Sequence, residues 1–346
     1  MFDWRWHLSD IRQDKPVKVF SVFSGIGGSS LGYKRAGFEV VGNVELDGKA
    51  NKLYRANLHP KYNYQMDVRD FNEFENLPEE LYRLDILDGS PPCTSFTWIG
   101  KRNKYWGVER QFSEGQEKQR LDLLSLEFLE TVARLKPKIV ILENVPAIIC
   151  GLARGYVNEI LNRFTELGYE VQMFLLNACF MDVPQDRRRI FFIANNQGYP
   201  RLKLRFESEP ISFGEVREAA GIPVRAGTKE YERLQKMLPC DRSIDAITFR
   251  EEGVLKGYCR KIIHDWEVCQ TLTKSEFYRG YDKKRLTLGD RRNVSTFPQD
   301  YNFLDYKDIQ GRLIGYAVPP NMMANLALEI YRQWLASRMS IAEVEV

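Results

Sequence analysis

Residues 17–45 read VKVFSVFSGIGGSSLGYKRAGFEVVGNVE. A β-branched apolar run, Val17–Phe23, breaks into a glycine turn and a helix, Gly28–Ala36, before a second apolar run, Glu39–Glu45. That alternation is the pattern of a βαβ unit, whose parallel strands are buried on both faces. The pattern repeats. Further strands are predicted at Leu84–Asp88, Ile139–Leu142, Val171–Leu176 and Arg189–Ala194, and helices at Asp47–Asn57, Leu121–Leu135 and Gly155–Leu167. Residues 1–197 therefore predict an α/β domain built on a mainly parallel sheet.

From 198 to 292 the alternation stops, and 20 Lys and Arg stand against 15 Asp and Glu, compared with 30 against 32 in the rest of the chain. This segment predicts a smaller, irregular second domain. Its basic excess suits a polyanionic partner, although a solvated surface accounts for it as well. Residues 293–346 end in an apolar helix, about Asn321–Leu335, marked by Pro319 and Pro320 and expected to return to the first domain. The 346 residues are 44% hydrophobic and 28% charged, which excludes a disordered, collagen-like or coiled-coil chain. No apolar run reaches the roughly 18 residues of a membrane span and the N-terminus lacks a signal pattern, so an intracellular protein is expected. The six cysteines lack CxxC spacing, so neither a disulfide framework nor a metal site is predicted.

Chemistry concentrates at the predicted strand ends. The turn Phe23-Ser24-Gly25-Ile26-Gly27-Gly28 suits a nucleotide-like ligand, but Ser30 replaces the third glycine of a dinucleotide fingerprint and close strand–helix packing is its alternative. Glu45 closes the second strand, where a carboxylate accepts hydrogen bonds from both ribose hydroxyls, and Asp67 is placed to accept from an adenine amino group. Taken singly, Asp47 reads as a helix N-cap and Asp67 as a surface carboxylate. Together with the glycine turn these acids favour an adenosine-containing cofactor. Pro91 and Pro92 stiffen the backbone before Cys93, which reads as a nucleophile rather than a packed thiol. Glu143 stands beside Cys93 if the fourth and fifth strands are neighbours, its alternative being a partly buried cap. Arg187 and Arg189, as alternate strand residues, are expected to share a face. The polar segment Thr94–Arg120 reads as a working lid, with disorder as the alternative.

In this order the motifs resemble those of the C5-specific cytosine DNA methyltransferases of bacterial type. The resemblance implies a Rossmann-like, S-adenosylmethionine-dependent methyltransferase fold with a target recognition domain at 198–292. It assigns the cofactor to Phe23, Gly25, Gly27, Gly28, Glu45, Leu46, Asp67, Val68, Pro92 and Leu124. Ala317 and Val318 join them from Gly315–Pro320, where Tyr316 replaces the usual Asn. Pro92-Cys93 matches the nucleophile motif, Glu143-Asn144-Val145 the ENV motif, and Gln185, Arg187 and Arg189 the QxRxR motif. Cys93, Glu143, Arg187 and Arg189 form the implied catalytic set.

The implied activity is methylation of cytosine C5 in duplex DNA through a covalent Cys93–C6 intermediate, on a base flipped out of the helix. Thr94, Ser95, Trp98, Ile99, Lys101, Arg102, Lys104 and Gln185 are then expected near DNA, and Arg242, Arg250, Arg260 and Arg279 are candidates for reading guanine. A monomer in the cytoplasm of a bacterium or encoded by a phage, paired in function with a restriction endonuclease, completes the expectation. Alternatives are a tRNA cytosine-5 methyltransferase and a catalytically silent DNA-binding homologue, the latter opposed by intact Cys93 and Glu143. A nicotinamide-dependent dehydrogenase has no use for Cys93. Trp4 and Trp6 receive no role.

Overall fold

The structure, a computed structural model, describes residues 1–92, 123–150, 154–257, 260–273, 275–306 and 310–336. It divides into two compact units. The sheet unit holds Ile11–Asn177, Arg188–Arg205 and the chain from Met323 onward; the second unit holds Met1–Asp10, Ala178–Arg187 and Phe206–Met322. This division cuts across the ranges read from sequence, because Met1–Asp10 and Ala178–Arg187 join the basic segment while Gly198–Arg205 stay with the sheet.

In the sheet unit the chain runs through β1 (Lys18–Val22), α1 (Gly28–Arg35), β2 (Glu39–Val44), α2 (Gly48–Leu58), β3 (Tyr62–Tyr64), α3 (Val68–Glu73) and β4 (Ile86–Gly89). It continues through α4 (Leu124–Leu135), β5 (Ile139–Asn144), α5 (Arg154–Glu166) and β6 (Glu170–Asn177). After β7 (Gln185–Asp186), which belongs to the second unit, β8 (Arg188–Asn195) completes the sheet. The strand order is β3-β2-β1-β4-β5-β8-β6. The first five strands are parallel, and β8 lies antiparallel between β5 and β6. Only the short segment 178–187 joins β6 to β8, and a parallel return needs a crossover of about a dozen residues or more. An antiparallel insertion is the outcome.

One face of the sheet packs Phe20, Val22, Leu87, Val140, Leu142 and Phe192 against Phe128, Leu129 and Val132 of α4 and Ile160 and Phe164 of α5. Helix α4 closes at Lys136 in the left-handed conformation, just before Pro137. No helix among the described residues is long and apolar enough to cross a membrane.

The second unit carries α6 (Phe213–Val216), α7 (Lys229–Gln235), α8 (Ile244–Glu252), β9 (Lys261–Ile263), β10 (Cys269–Gln270), β11 (Phe277–Arg279), α9 (Leu288–Val294) and α10 (Gln310–Tyr316). The division between units falls inside α11 (Pro320–Ile330), whose apolar run continues as a π-helical turn, Tyr331–Leu335. β7 pairs with β10 and β9 with β11. Strands of two or three residues leave too little periodicity to read from sequence. Two small cores form, one around Phe213, Val216, Leu272 and Phe277 and one around Leu234, Ile244 and Ile262.

Trp6 and Trp4 acquire a structural role here. Buried Trp6 donates its indole N–H to the Thr296 carbonyl at 2.8 Å, and Trp4 packs against the first of the small cores. Asn321 holds the same N-terminal segment, donating to the Phe2 and Asp3 carbonyls at 3.3 Å each and to the Asp182 carbonyl at 2.8 Å. Trp6→Ala is expected to lower unfolding free energy by about 3–5 kcal/mol, measured by urea denaturation of the whole chain; a loss under ~1 kcal/mol removes Trp6 as an anchor.

Candidate active site

β1 ends at Val22, and Phe23 then adopts φ 55°, a left-handed conformation that costs a non-glycine residue about 1–3 kcal/mol. Gly25 (φ 53°) and Gly27 (φ 86°) complete the turn into α1. The two glycines serve different ends. A Cβ on Gly27 would lie 2.6 Å from Leu58 Cδ1, so this position serves close packing, whereas a Cβ on Gly25 would meet nothing within 4 Å. The turn is closely packed at Gly27 and unobstructed at Gly25.

Glu45 follows β2 directly and ties it to that turn. Its Oε2 accepts from the Gly25 N–H and its Oε1 from the Asp47 N–H, each at 2.7 Å. Burial pushes the carboxyl up to about 7, against the lowering effect of those backbone bonds. Leu46 is half-buried beside it. Asp47 caps α2 through the N–H groups of Lys49 and Ala50. Asp67 caps α3 through Arg69 N at 2.9 Å and faces Arg69 Nη1 at 3.3 Å. Val68 and Leu124 are buried in the main core.

Sequence reasoning passed over a polar row beneath these strand ends. Ser21 is the register partner of both Asn43 and Asp88, and Asn43 is the partner of Asn63. Four adjacent strands thus carry polar side chains on one face of the sheet. Asn43 donates to Ser24 Oγ at 2.9 Å, and Asn63 donates to Asn43 Oδ1 at 2.7 Å and to Asn51 Oδ1 at 2.6 Å. Asp88 accepts from Ser21 Oγ at 2.9 Å and from Tyr33 OH at 3.2 Å. The available signal was a polar residue interrupting each apolar strand.

β4 and β5 are parallel neighbours, with Gly89 opposite Leu142. The Pro91-Pro92 segment therefore leaves the sheet beside the strand that ends in Glu143 and Asn144. Glu143 is buried and its Oε1 lies 2.9 Å from Arg189 Nε of β8. Arg189 Nη1 also donates to the Arg188 carbonyl at 2.7 Å. Pro92 is half-buried. Cys93, Thr94, Ser95, Trp98, Ile99, Lys101, Arg102 and Lys104 lie outside the described residues.

Arg187 is not part of the strand that carries Arg189. It precedes β8, belongs to the second unit, and is fully buried. Its guanidinium donates to the Gly315 carbonyl at 3.0 Å and the Tyr316 carbonyl at 3.3 Å, satisfying the last turn of α10 just before Ala317 and buried Val318. The chain passes from one unit to the other between Arg187 and Arg188, and β7 ends before Arg187 while β8 begins after it, so strand alternation does not span the pair. Gln185 is buried too, donating to the Val294 carbonyl at 3.4 Å and accepting from the Leu272 N–H at 3.2 Å. Tyr316 is 60% exposed.

The four arginines read as guanine candidates all meet carboxylates. Arg242 pairs with Glu267, Arg250 with Asp241 at 3.1 Å, and Arg260 with Glu230 at 2.6 Å. Arg279 is removed from solvent altogether, 3.4 Å from Asp282 and 3.7 Å from Asp290, with Nη2 donating to the Glu218 carbonyl at 2.9 Å. A fully buried guanidinium cannot reach a base edge, which excludes Arg279 from that reading.

Residues 17–216, more than half of the chain, match the family of C-5 cytosine-specific DNA methylases. The chain belongs to this family. Type II methyltransferase M1.HphI of Haemophilus parahaemolyticus is 28% identical over 90% of this chain and 86% of its own length. Type II methyltransferase M.HindV of Haemophilus influenzae is 29% identical over 91% of this chain and 96% of its own. Among solved structures, Spodoptera frugiperda DNMT2 is similar in fold, with a TM-score of 0.63 at 18% identity over 91% of this chain and 99% of that one. The methylase family makes this chain a DNA cytosine-C5 methyltransferase, which requires a methyl donor.

In this methylase Arg279→Ala is expected to cost about 3–5 kcal/mol of stability, because Asp290 is left buried without its counter-charge. Urea denaturation alongside methylation mapping checks it; a fully stable variant with an altered target sequence would restore the base-reading role.

Proposed function

We propose that this methylase transfers the methyl group of S-adenosylmethionine to C5 of a cytosine flipped out of a specific duplex DNA sequence. The observation that carries the reading is the Glu143–Arg189 pair, set at the end of the strand next to the one that leads into Pro92-Cys93. The glycine turn and Glu45 fit an adenosyl group, since a side chain on Gly25 would meet nothing within 4 Å and the carboxylate stands just after β2, where ribose hydroxyls have an acceptor. S-adenosylmethionine bound there supplies an electrophilic methyl group.

The chain's own residues supply the activation. The Cys93 thiolate adds to cytosine C6, forming a C–S bond, while Glu143 hydrogen-bonds or protonates N3, so that electron density reaches C5 and makes it nucleophilic. Arg189 holds Glu143 in place and faces the cytosine O2. Once C5 carries the methyl group, its proton leaves to a base and the Cys93–C6 bond breaks, regenerating the thiolate. The proton that N3 received returns to Glu143 as the ring recovers its original double bonds, so its carboxyl serves as proton donor and then acceptor. Base flipping costs a few kcal/mol, which protein–DNA contacts offset. Lys101, Arg102 and Lys104 are assigned to phosphates and Trp98 or Ile99 to the vacated space. The Type II relatives support duplex DNA over tRNA and a role paired with a restriction endonuclease.

Cys93→Ser is expected to abolish methylation of duplex DNA and the covalent adduct with 5-fluorocytosine DNA, while S-adenosylhomocysteine binds with unchanged affinity. Denaturing gels and labelled-methyl transfer to duplex DNA and to tRNA check this; persistent adduct in the variant, or label on tRNA alone, contradicts the reading.

A second expectation concerns Glu45. Its carboxyl, raised to about 7, accepts ribose hydroxyls best when ionised, so affinity for S-adenosylhomocysteine should rise as pH increases through that value. Glu45→Gln should weaken binding roughly 10- to 100-fold and flatten the pH dependence. A variant that keeps the wild-type pH curve in calorimetry shows that Glu45 is not the ribose acceptor.

A further inference from the structure

Asp88 is a buried carboxyl surrounded by hydroxyls. Ser21 of β1 donates at 2.9 Å, Tyr33 of α1 at 3.2 Å, and the Ser29 side chain in the first turn of α1 adds a third hydrogen bond. No Lys, Arg or His pairs with it among the described residues. The titratable groups that face it are Tyr33 of α1, Tyr54 of α2 and Glu143 of β5, none of them a cation. Glu143 has its own counter-charge in Arg189. Donors that stabilise an anion are therefore present around Asp88 while a counter-ion is not, in a setting where an uncompensated charge is costly.

The position adds a second observation. Asp88 is the register partner of Ser21, one residue before Val22, where β1 ends and the strand enters the glycine turn. It is also opposite Ile141, two residues before Glu143 on the same face of β5. The carboxyl thus lies one layer below the edge of the sheet unit to which the cofactor is assigned, next to the first turn of α1. A ligand that brings a positive charge to that edge meets a buried negative one through a low-dielectric layer.

We propose that Asp88 is a specificity-determining residue for the cofactor: its buried carboxylate favours the cationic methyl donor over the neutral demethylated product. The inference rests on the S-adenosylmethionine reading. Methyl transfer breaks the sulfonium S–CH3 bond, returns its electron pair to sulfur and forms the C5–CH3 bond, so the positive charge disappears from the ligand in the same step. Product then lacks the charge that Asp88 attracts, and exchange for fresh donor is favoured. Burial, opposed by the three hydroxyls, pushes the Asp88 carboxyl up to about 7, so the discrimination is present above that pH and fades below it. Glu45 does not confound the comparison, because donor and product share the same ribose.

The experiment is calorimetric titration of the full chain with S-adenosylmethionine and with S-adenosylhomocysteine at about pH 6 and about pH 8, for wild type, Asp88→Asn and Tyr33→Phe. In wild type the preference for donor over product is expected to grow at least about three-fold between the two pH values, a modest fraction of a Coulomb term across one protein layer. In Asp88→Asn the preference should be smaller and independent of pH. Tyr33→Phe removes one donor to the anion, so the growth should persist but move to higher pH; this variant carries the test if Asp88→Asn does not fold. A wild-type preference that does not change with pH, or changes equally in Asp88→Asn, overturns the proposal, since a purely structural Asp88 alters both affinities together. Wild type that binds neither ligand overturns the cofactor reading itself, and the proposal with it.

Discussion

Parallel alignment of β1, β2, β4 and β5 is the constraint on which the site depends. Val22 is opposite both Val44 and Gly89, and Gly89 is opposite Leu142, so four strands reach one edge within a residue or two of each other. Each then releases a segment assigned to the proposed site: the glycine turn after β1, Glu45 after β2, the double proline after β4, and Glu143 at the end of β5. Helices on the connections force this arrangement, because a parallel return places every strand's carboxyl end on the same side. No single side chain creates the site. The packing of Phe20, Leu87 and Leu142 against α4 and α5 does.

Three acids at that edge, Glu143 and Asp88 buried and Glu45 half-buried, are stabilised in three different ways. Glu143 has an arginine, Glu45 has two backbone N–H groups, and Asp88 has hydroxyls alone. The consequences differ accordingly. Burial raises Glu45 and Asp88 to about 7 despite their hydrogen bonds, which puts both within the range where pH changes their charge. Such groups reduce stability once they ionise, a cost that an apolar side chain in the same place would not carry.

The second unit uses its charges internally. Arg279 is buried between Asp282 and Asp290, Arg187 satisfies the end of α10, and Arg292 reaches the Gln299 carbonyl at 2.9 Å. A unit built from strands of two or three residues has little sheet to hold it together, and guanidinium bridges tie its loops locally, as Arg292 does, or across the chain, as Arg187 does to Gly315. Its basic count therefore overstates the charge offered to a partner.

Periodicity and motif order were sufficient for the sheet strands, the helices between them, and the neighbouring placement of the Pro92 segment and Glu143, because those depend on local hydrophobic pattern and on how consecutive strands associate. Glu45, at the end of a strand, was legible for the same reason. Tertiary structure alone decided the rest. The break between β7 and β8 left Arg187 outside the strand that carries Arg189, burial turned Arg279 and Gln185 inward, and the polar row from Asn63 to Asp88 appeared only when strands distant in sequence came into register. A residue's type states which hydrogen bonds and charges it can offer; which partner accepts them, and how far water is excluded, is settled by chain segments that sequence spacing does not bring together.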